Sequence, residues 1–574
     1  PITLLNCLGK VLEKVVQKRL ASLTADTIPK QQFGGRNGFS TADALAKLIS
    51  YTEVNQSWNR VTSILAIDIK GAFDNVHKGV LLKTMSDMDL PEASKLWVSH
   101  FLGRRRTSLI IDGKVTESRR VDSGIPQGSP ISPLLFLIYT SSLYRKIKEA
   151  GAHVVGFIDD ITIYKGGRDV DKNTATLSRV LQICHEWAQE CHTEFDYGDK
   201  LGFLHIHKSK RGRPKKKKKR GPRRLTLPIA GLGKRQAQKS LKLLGVTLDC
   251  ELKFQEHAKN VTSKAKRVMG IIGNLGGVYK GISCQTMKQL YISCVRPIFE
   301  YASPVWYHKL TGQWKDEIQK IQNTGLRKIL GAFRSAPIKA MQRDAEILPV
   351  SIRMKEIRDR FAIRAIRDVS PRNPVWKLAN SSKLAKGDLE KLFARVKQMN
   401  GIDDDKYWSK RPPWKLSNYL RGVRSDKALQ KLKSSLHVAS RNEWQSDYDT
   451  PGETSHYYSI VKKELYGGKY PNPLKSFMSS VSRHTFSKLF QLRTGHGVLG
   501  KYFRTRGIDE RDHNCECGQL ETVEHVLKEC PLHPAERDLL RKVSPELDPK
   551  ILLDTKKGLG AVVKFLDSLP QLLC

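Results

Sequence analysis

The chain has 574 residues, enough for several domains, and apolar residues make up 39% of it, enough for hydrophobic cores. Lys and Arg number 100 against 57 Asp and Glu, so the formal net charge is +43. A small-molecule enzyme has no use for such a field, whereas a polyanionic partner does, because each neutralised phosphate releases counterions. The alternative is a basic surface that serves only solubility.

The cysteines and the apolar runs indicate the cellular compartment in which the chain acts. The ten cysteines are scattered apart from three near the C-terminus, which is no disulfide framework and indicates a reducing compartment. No run approaches the roughly 18–20 apolar residues that span a bilayer, and there is no signal-peptide pattern, so we expect no membrane partner. The chain starts with Pro1 instead of methionine, which indicates a segment of a longer polyprotein.

The N-terminal sixty residues are predicted to be helices and loops. Apolar residues recur at helical spacing over residues 4–16 and again over 42–49. Between them lies the turn-rich stretch 33–38, which contains three glycines.

Residues 61–200 alternate strand and helix patterns. The short apolar, β-branched run 63–67 predicts a buried strand that ends at Asp68. Residues 154–158 and 161–164 predict two more strands. Because only Asp159 and Asp160 separate them, we expect a two-residue hairpin turn with both carboxylates at its tip.

Three aspartates are candidates for catalysis: Asp68, Asp159 and Asp160. Neighbouring carboxylates repel one another, and such clusters either raise a pKa or recruit cations. Mg²⁺ prefers oxygen ligands and leaves positions open for phosphate oxygens. Two Mg²⁺ ions about 4 Å apart would activate an attacking 3′-hydroxyl and stabilise a leaving pyrophosphate. Taken singly, each aspartate is better explained as a structural residue, because aspartate is common in turns.

The surroundings of these aspartates resemble the reverse transcriptases of non-LTR (LINE-like) retrotransposons. Three palm motifs of that family occur in the family's order, at residues 66–76, at residues 124–136 and in the hairpin Phe157-Ile158-Asp159-Asp160. Upstream, residues 1–14 and 31–36 resemble its fingers segments, and downstream, residues 243–249 resemble its primer grip. The resemblance covers residues 1–345 continuously and returns near 431–535.

The resemblance implies an α+β fold, a right-hand polymerase with fingers, palm and thumb and a mainly helical C-terminal region. It places truncated fingers at 1–60, the palm at 61–205, a basic loop at 206–240 and the thumb at 241–345. A charged linker region would follow at 346–430, and a helical C-terminal region with a zinc knuckle at 431–574. The implied partners are an RNA template, a DNA primer or target DNA, and dNTPs.

The resemblance also assigns roles to individual residues. Phe73 would stack under the deoxyribose and exclude a 2′-hydroxyl, and Gln127 and Gly128 would lie against the nascent base pair and the incoming nucleotide. Lys200 would protonate the leaving pyrophosphate, although the residues after it depart from the family pattern, and Arg36 would contact the triphosphate. The alternatives are a core aromatic for Phe73, a rigid turn for the glycine loop and a solvated loop cation for Arg36.

A Cys/His cluster near the C-terminus offers three thiolates and one imidazole, a closed tetrahedral set for Zn²⁺. The tail around it resembles the C-terminal CCHC knuckle of the same retrotransposon proteins, which would hold RNA or target DNA. The rival ligands are His513 and His533. The four candidate ligands are Cys515, Cys517, His525 and Cys530.

A low-complexity basic run occupies residues 208–224. Its like charges repel and cannot bury apolar area, so we expect an exposed loop. It is interpreted first as a non-specific phosphate-binding loop, second as a nuclear import signal and third as an AT-hook built on Arg213.

Two domains common in relatives are not found in the sequence. An RNase H fold needs carboxylate-bearing strands, and no apolar strand precedes residues 403–405, the acidic run between 346 and 450. Residues 411–414 and 442–445 look like the sequences that would flank such a domain, so we interpret it as lost. There is also no endonuclease segment.

The main interpretation is an RNA-directed DNA polymerase that acts in nuclear and cytoplasmic ribonucleoprotein particles. The first alternative is a maturase-type reverse transcriptase of a group II intron, which shares the palm. The second is a decayed retroelement protein that binds nucleic acid without catalysis.

Overall fold

The computed structural model describes residues 3–108, 110–121, 123–198, 200–208, 226–229, 233–279, 281–368, 372–379, 387–399, 427–449, 457, 460–461, 472–510 and 512–569. Apart from its first residue, the predicted basic loop at 208–224 lies outside this part of the chain. The acidic run 403–405 and the segment 411–414 lie outside it as well.

The N-terminal part of the chain alternates helices and strands, as the sequence predicts. Its helices are α1 (Cys7–Leu23), α2 (Thr41–Ser57), α3 (Lys78–Asp87), α4 (Glu92–Phe101), α5 (Ser132–Tyr139), α6 (Ser141–Glu149) and α7 (Val170–Glu190). Its strands are β1 (Val61–Lys70), β2 (Arg105–Thr107), β3 (Ile110–Ile111), β4 (Lys114–Val115), β5 (Arg119–Val121), β6 (His153–Phe157), β7 (Asp160–Gly167), β8 (Glu194–Phe195), β9 (Gly202–Ile206), β10 (Thr226–Ile229), β11 (Gly233–Gln236), β12 (Ser240–Leu243) and β13 (Val246–Asp249).

The rest of the described chain is built from helices, in agreement with the mainly helical C-terminal region that the resemblance implies. The α-helices are α8 (Gln255–Asn274), α9 (Cys284–Leu290), α10 (Arg296–Glu300), α11 (Ser303–Trp306), α12 (Gly312–Leu330), α13 (Ile338–Ala345), α14 (Val350–Ile363), α15 (Pro374–Ala379), α16 (Asp388–Met399), α17 (Lys427–Asp449), α18 (Phe477–Ser480), α19 (Arg483–Thr494), α20 (Gly500–Arg506), α21 (Pro534–Arg541), α22 (Pro549–Asp554) and α23 (Lys556–Ser568). Short π- or 3₁₀-helical turns occur at Tyr291–Val295, Tyr307–Lys309, Arg364–Asp368 and His525–Glu529.

The chain divides into two compact units. The first unit consists of Pro1–His257, Pro304–Lys309 and Asp359–Lys433. The second unit consists of Ala258–Ser303, Leu310–Arg358 and Ser434–Cys574. The division into fingers, palm and thumb remains a prediction.

The first unit is organised around an antiparallel sheet in which β1 is the central strand. The order is β6–β7–β1, and β8 and β9 pair with the other edge of β1. Alternate positions of β1 point to opposite faces, and Ile64, Leu65, Ile67 and Ile69 are all buried. Both faces are therefore covered, and α2 and α7 pack against the sheet.

Two details of the predicted strands are wrong. Asp68 does not end its strand, because β1 continues to Lys70. The hairpin turn consists of Ile158 and Asp159, since Phe157 and Asp160 are already paired across β6 and β7. Asp160 thus belongs to a strand, and only Asp159 lies in the turn.

The second unit contains a buried ionic network that explains part of the retrotransposon-like tail. The side chains of Arg493 and Asp344 are fully buried, with Arg493 Nε 3.1 Å from Asp344 Oδ2. The Tyr457 hydroxyl donates to Asp344 Oδ1 at 2.7 Å. A buried charge is tolerated when it is paired and hydrogen-bonded, so Arg493 is a structural residue of this unit.

Candidate active site

The three candidate carboxylates come together at one end of the β1–β7 ladder. Asp68 and Asp160 are directly opposed partners of this ladder, and Asp159 precedes Asp160 in the turn. Burial raises the pKa of both Asp159 and Asp160, and the negative charge of Asp68 raises both further. Like charges that are held together and partly desolvated attract a cation.

The ammonium group of Lys200 supplies one such cation. It donates a short hydrogen bond to Asp68 Oδ2, which raises the pKa of Lys200 above its usual value. The residues after it, which depart from the family pattern, have a packing role. Leu201 is fully buried, and a Cβ on Gly202 would lie 2.1 Å from Leu241 Cδ1.

A residue that sequence reasoning had not singled out, Gln32, holds the turn that carries Asp159. Its Oε1 accepts from the backbone N–H of Ile158 at 3.1 Å, and its Nε2 donates to the Ile158 carbonyl at 3.1 Å and to the Tyr144 hydroxyl at 2.9 Å. Ile158 has φ +60°, which a β-branched residue rarely adopts. Gly34 lies so close that a Cβ there would be 2.4 Å from Ile158 N. The motif at 31–36 therefore fixes the hairpin that carries Asp159.

Replacing Gln32 with leucine is expected to lower kcat of primer extension about tenfold to a hundredfold. The change removes both hydrogen-bond partners from the partly buried N–H and C=O of Ile158, at up to about 1–3 kcal/mol each, so the turn would no longer hold Asp159 in place. Because Gln32 acts through the turn, KM for dNTP should move little. Gln31→Leu is the matched control. A higher KM for dNTP with an unchanged kcat would contradict the positioning role of Gln32.

Phe73 links the first and second palm motifs. Its ring is half-buried and lies 5.4 Å from the ring of Phe136, centroid to centroid. Its carbonyl accepts from the backbone N–H of Ile125 at 2.7 Å. One part of the ring thus packs on the core while another part remains accessible, so the core and sugar-contact interpretations are compatible.

The glycine loop after β5 is packed closely against other backbone. The Gln127 side chain donates to Asp74 Oδ1 at 3.2 Å, and the Gln127 carbonyl accepts from Thr3 N at 2.6 Å. Gly128 has φ +111°, and a Cβ on it would lie 2.6 Å from the Thr3 carbonyl oxygen. The structure therefore brings Thr3 against this loop, and the nucleotide contact of Gln127 and Gly128 stays a prediction.

Arg36 is occupied within its own segment. Its guanidinium donates to the carbonyls of Pro29, Gln32 and Ala25 at 3.0, 3.4 and 3.4 Å, and it lies 4.4 Å from the centroid of the Phe39 ring. Burial lowers the pKa of this guanidinium to about 10, so it stays charged at neutral pH. It organises the loop, and a contact with the triphosphate remains a prediction.

A cleft of about 410 Å³ opens beside the carboxylates. Asp68, Asp160 and Lys200 line it on the sheet side, and Gln238 and Lys242 line it from the segment of the β12–β13 hairpin. This hairpin is the segment that resembles a primer grip. Hence the structure brings the predicted grip and two of the candidate carboxylates to one cavity in the first unit.

The predicted zinc ligands converge in the second unit. The ligand atoms of all four residues lie within 4.8 Å of one another. Cys515 Sγ is 3.7 Å from Cys530 Sγ, and Cys517 Sγ is 3.3 Å from His525 Nε2. Tetrahedral zinc with Zn–S bonds of about 2.3 Å separates two sulfurs by roughly 3.8 Å, so the donor set fits Zn²⁺. Neither rival belongs to the set, and His513 Nε2 instead donates to the Ile508 carbonyl at 2.9 Å.

Comparison with known families agrees with this geometry. Residues 1–248 match the family described as reverse transcriptase (RNA-dependent DNA polymerase). The matched part of the chain contains all three candidate carboxylates, Lys200 and the other residues that line the cleft.

Curated relatives extend the similarity beyond the reverse transcriptase domain. The chain is 25% identical over 555 residues to the Retrovirus-related Pol polyprotein from type-1 retrotransposable element R1 of Bradysia coprophila, covering 94% of this chain and 47% of that protein. It is 24% identical over 414 residues to the RNA-directed DNA polymerase from mobile element jockey of Drosophila melanogaster, covering 70% and 43%. The chain thus spans about half the length of the curated relatives it matches.

Among solved structures, telomerase from Candida tropicalis in complex with the TWJ fragment of telomeric RNA is similar to this chain. The match covers 62% of this chain and 56% of that one at 12% identity, with a TM-score of 0.31.

Proposed function

We propose that this chain is the RNA-directed DNA polymerase of a non-LTR retrotransposon. It would transfer a deoxynucleotidyl group from a dNTP to the 3′-hydroxyl of a primer paired with an RNA template. The 3′ oxygen bonds to the α-phosphorus, the bond to pyrophosphate breaks, and the hydroxyl proton leaves. The observation that carries the proposal is the cluster of Asp68, Asp159 and Asp160 inside a reverse transcriptase domain.

The carboxylates fit the divalent metal use that the family implies. Asp68, Asp159 and Asp160 would hold two Mg²⁺ ions, which when bound activate the hydroxyl and neutralise charge on the phosphates. In the described structure, the Lys200 ammonium neutralises Asp68. Lys200 is protonated at neutral pH, and the hydrogen bond to Asp68 raises its pKa further. It can donate a hydrogen bond to the leaving pyrophosphate, and it would give up a proton there once the Asp68 carboxylate is bound to a metal ion instead.

The cleft would receive the end of the primer. The β12–β13 hairpin turns through Leu244 and Gly245, both with positive φ, as tight two-residue hairpins require. Lys242 adds a positive charge to the wall that faces the carboxylates. A phosphate next to the primer 3′ end would be held there, since a lysine binds phosphate as a point charge.

We propose further partners for the remaining parts of the protein. The set of Cys515, Cys517, His525 and Cys530 would hold structural Zn²⁺, and the knuckle would contact RNA or target DNA. The enzyme would act in ribonucleoprotein particles of nucleus and cytoplasm. No helix in the described part of the chain is long and apolar enough to cross a membrane.

The alternatives from the sequence are less well supported. The R1 relative is named for a retrotransposable element and the jockey relative for a mobile element, which favours this origin over a group II intron. The three palm carboxylates are all present and close together, which favours catalysis over a decayed protein.

Primer extension on an RNA template with dNTPs and Mg²⁺ tests the proposal. The expected result is DNA product whose sequence is complementary to the template. Retained RNA binding with no extension on any template would overturn the proposal in favour of the decayed protein.

Replacing Phe73 with valine is expected to raise the ratio of ribonucleotide to deoxyribonucleotide kcat/KM by about tenfold or more. In the wild-type chain the Phe73 ring would clash with the 2′-hydroxyl of a ribonucleotide, and valine removes this clash. A tenfold change in the ratio corresponds to about 1.4 kcal/mol. Single-nucleotide insertion kinetics with matched dNTP and rNTP measure it. Phe101→Val, another partly buried phenylalanine on the same core, serves as the control, and an unchanged ratio would make Phe73 only a core residue.

A further inference from the structure

An exposed two-stranded arm projects from the first unit between α4 and the glycine loop. The arm comprises residues 105–121, in which β2 pairs with β5 and β3 pairs with β4. Its tip turns through Asp112 and Gly113, with φ +49° and +78°, the signs of a type I′ turn. At about 3.3 Å per residue, the tip stands on the order of 20 Å from the root.

The root of the arm is attached to the active site. Arg105 Nη2 donates to the carbonyls of Ser123 and Gly124 at 2.8 and 2.6 Å. Gly124 in turn donates its N–H to the Val76 carbonyl at 2.9 Å, in the loop that follows the catalytic strand β1. The arm therefore starts at the loop where the resemblance places the nascent base pair.

The tip is apolar and open to solvent. Ile110 is 74%, Ile111 57% and Val115 68% exposed, and Ile110 is the direct partner of Val115 across the strands. These aliphatic side chains add no stability to a two-stranded ribbon that stands alone. Exposed apolar strands also favour aggregation. A partner that covers the tip explains their presence.

The basic residues in and next to the arm indicate the chemistry of that partner. Arg104, Lys114 and Arg119 are exposed, and among the described residues none of them is paired with a carboxylate. Arg106 lies directly opposite Arg120 across the strands, and its guanidinium donates to Ser118 Oγ at 3.1 Å and to the Ser118 carbonyl at 2.7 Å. A row of exposed cations favours a polyanion such as nucleic acid over a protein surface.

We propose that the arm opens base-paired nucleic acid next to the active site, with its apolar tip against the terminal base pair and its cations on the phosphates. Aliphatic side chains inserted at a base step unstack it, and arginine and lysine hold the backbone beside the step. This inference rests on the proposed function, because it gives the polymerase a means of copying templates that are folded or already paired.

Extension through a duplex tests the arm. A variant with Ile110→Ser, Ile111→Ser and Val115→Ser removes the apolar tip at solvent-exposed positions, so folding should not suffer. The rate at which this variant extends a primer through a downstream duplex should fall about tenfold. Tenfold corresponds to about 1.4 kcal/mol, the stacking free energy of one base-pair step. On an unstructured template the rate should change less than about twofold. Leu96→Ser, an exposed apolar residue on α4, is the control.

A second measurement works without catalysis and separates the two proposals. A fluorescent adenine analogue in the terminal base pair of a fork brightens when that pair opens. Binding of the wild-type chain without dNTPs should raise the signal, and the triple variant should not. If this result is seen while no template is extended, the polymerase proposal fails and the arm proposal stands.

Three outcomes would overturn the arm proposal. Equal losses on paired and unstructured templates would make the arm a general substrate contact. Unchanged extension and fluorescence in the triple variant would show that the tip does not act on nucleic acid. A change from dimer to monomer in the variant, with unchanged extension, would identify a second copy of the chain as the partner.

Discussion

Replacing Asp159 with asparagine is expected to lower the rate of primer extension at least a thousandfold. Divalent metals at such sites contribute several kcal/mol of transition-state stabilisation, and an amide oxygen is a much weaker ligand than a carboxylate. RNA affinity should stay within about twofold, because it depends on many phosphate contacts that the substitution leaves in place. Extension assays and filter binding on one preparation measure both quantities.

The control for this prediction is Asp89→Asn. Asp89 is an exposed residue with φ +52°, a conformation that asparagine adopts as readily as aspartate. It removes the same charge from the chain without touching the site. Extension by Asp159→Asn at the wild-type rate would sink the metal assignment.

The thermal stability of Asp159→Asn shows whether its loss of activity comes from a missing metal ligand or from unfolding. Burial and the charge of Asp68 raise the pKa of Asp159 in the folded chain. A raised pKa means that the ionised carboxylate is less favourable in the folded than in the unfolded state. Ionisation of Asp159 therefore lowers the free energy of unfolding at a pH above its folded pKa. This loss of stability disappears as the pH falls from the folded pKa to the unfolded pKa. At pH 7 without metal, Asp159→Asn should therefore have an unchanged or higher Tm.

Removing the zinc ligands is the second large expected effect. The purified chain should contain about one Zn²⁺, and the double substitution Cys517→Ser and Cys530→Ser should reduce this to none. Zinc binding contributes roughly 10–16 kcal/mol in small zinc peptides, so the segment around the knuckle should lose protection from proteolysis. Elemental analysis and limited proteolysis measure the two effects.

Matched variants sharpen the zinc prediction. Cys294→Ser changes an exposed cysteine of the second unit that is not among the ligands, and zinc content should not change. His525→Ala should lower zinc content, whereas His513→Ala and His533→Ala should not. A metal-free chain from a reduced, chelator-free preparation would refute the knuckle.

The sequence predicted three strands of the first unit, β1, β6 and β7, because their apolar patterns are local, and it did not predict the shorter strands β2–β5 and β8–β13. It misplaced the hairpin turn by one residue, because Ile158 is a poor turn residue by propensity. Its left-handed conformation is held by Gln32, far away along the chain. Such a contact leaves no trace in a local pattern.

The roles of single cations were the least predictable part of the site. Arg36 and Lys200 both lie in motifs, yet Arg36 is bound to carbonyls of its own loop while Lys200 contacts Asp68. Which partner a long side chain reaches depends on tertiary structure. The four candidate zinc ligands, which the structure brings together, could be predicted from sequence because the spacing of thiolates and imidazole within a short segment is itself a local pattern.

The position of β1 in the sheet has a consequence for synthesis of the chain on the ribosome. Both neighbours that pair along β1, β7 and β9, come later in the chain. Until residue 206 has emerged, the nascent strand that carries Asp68 has at least one unpaired edge, and such edges recruit other strands. Slow translation or truncation before β9 would therefore leave an aggregation-prone intermediate, so a chaperone that shields strand edges should improve the yield of soluble enzyme.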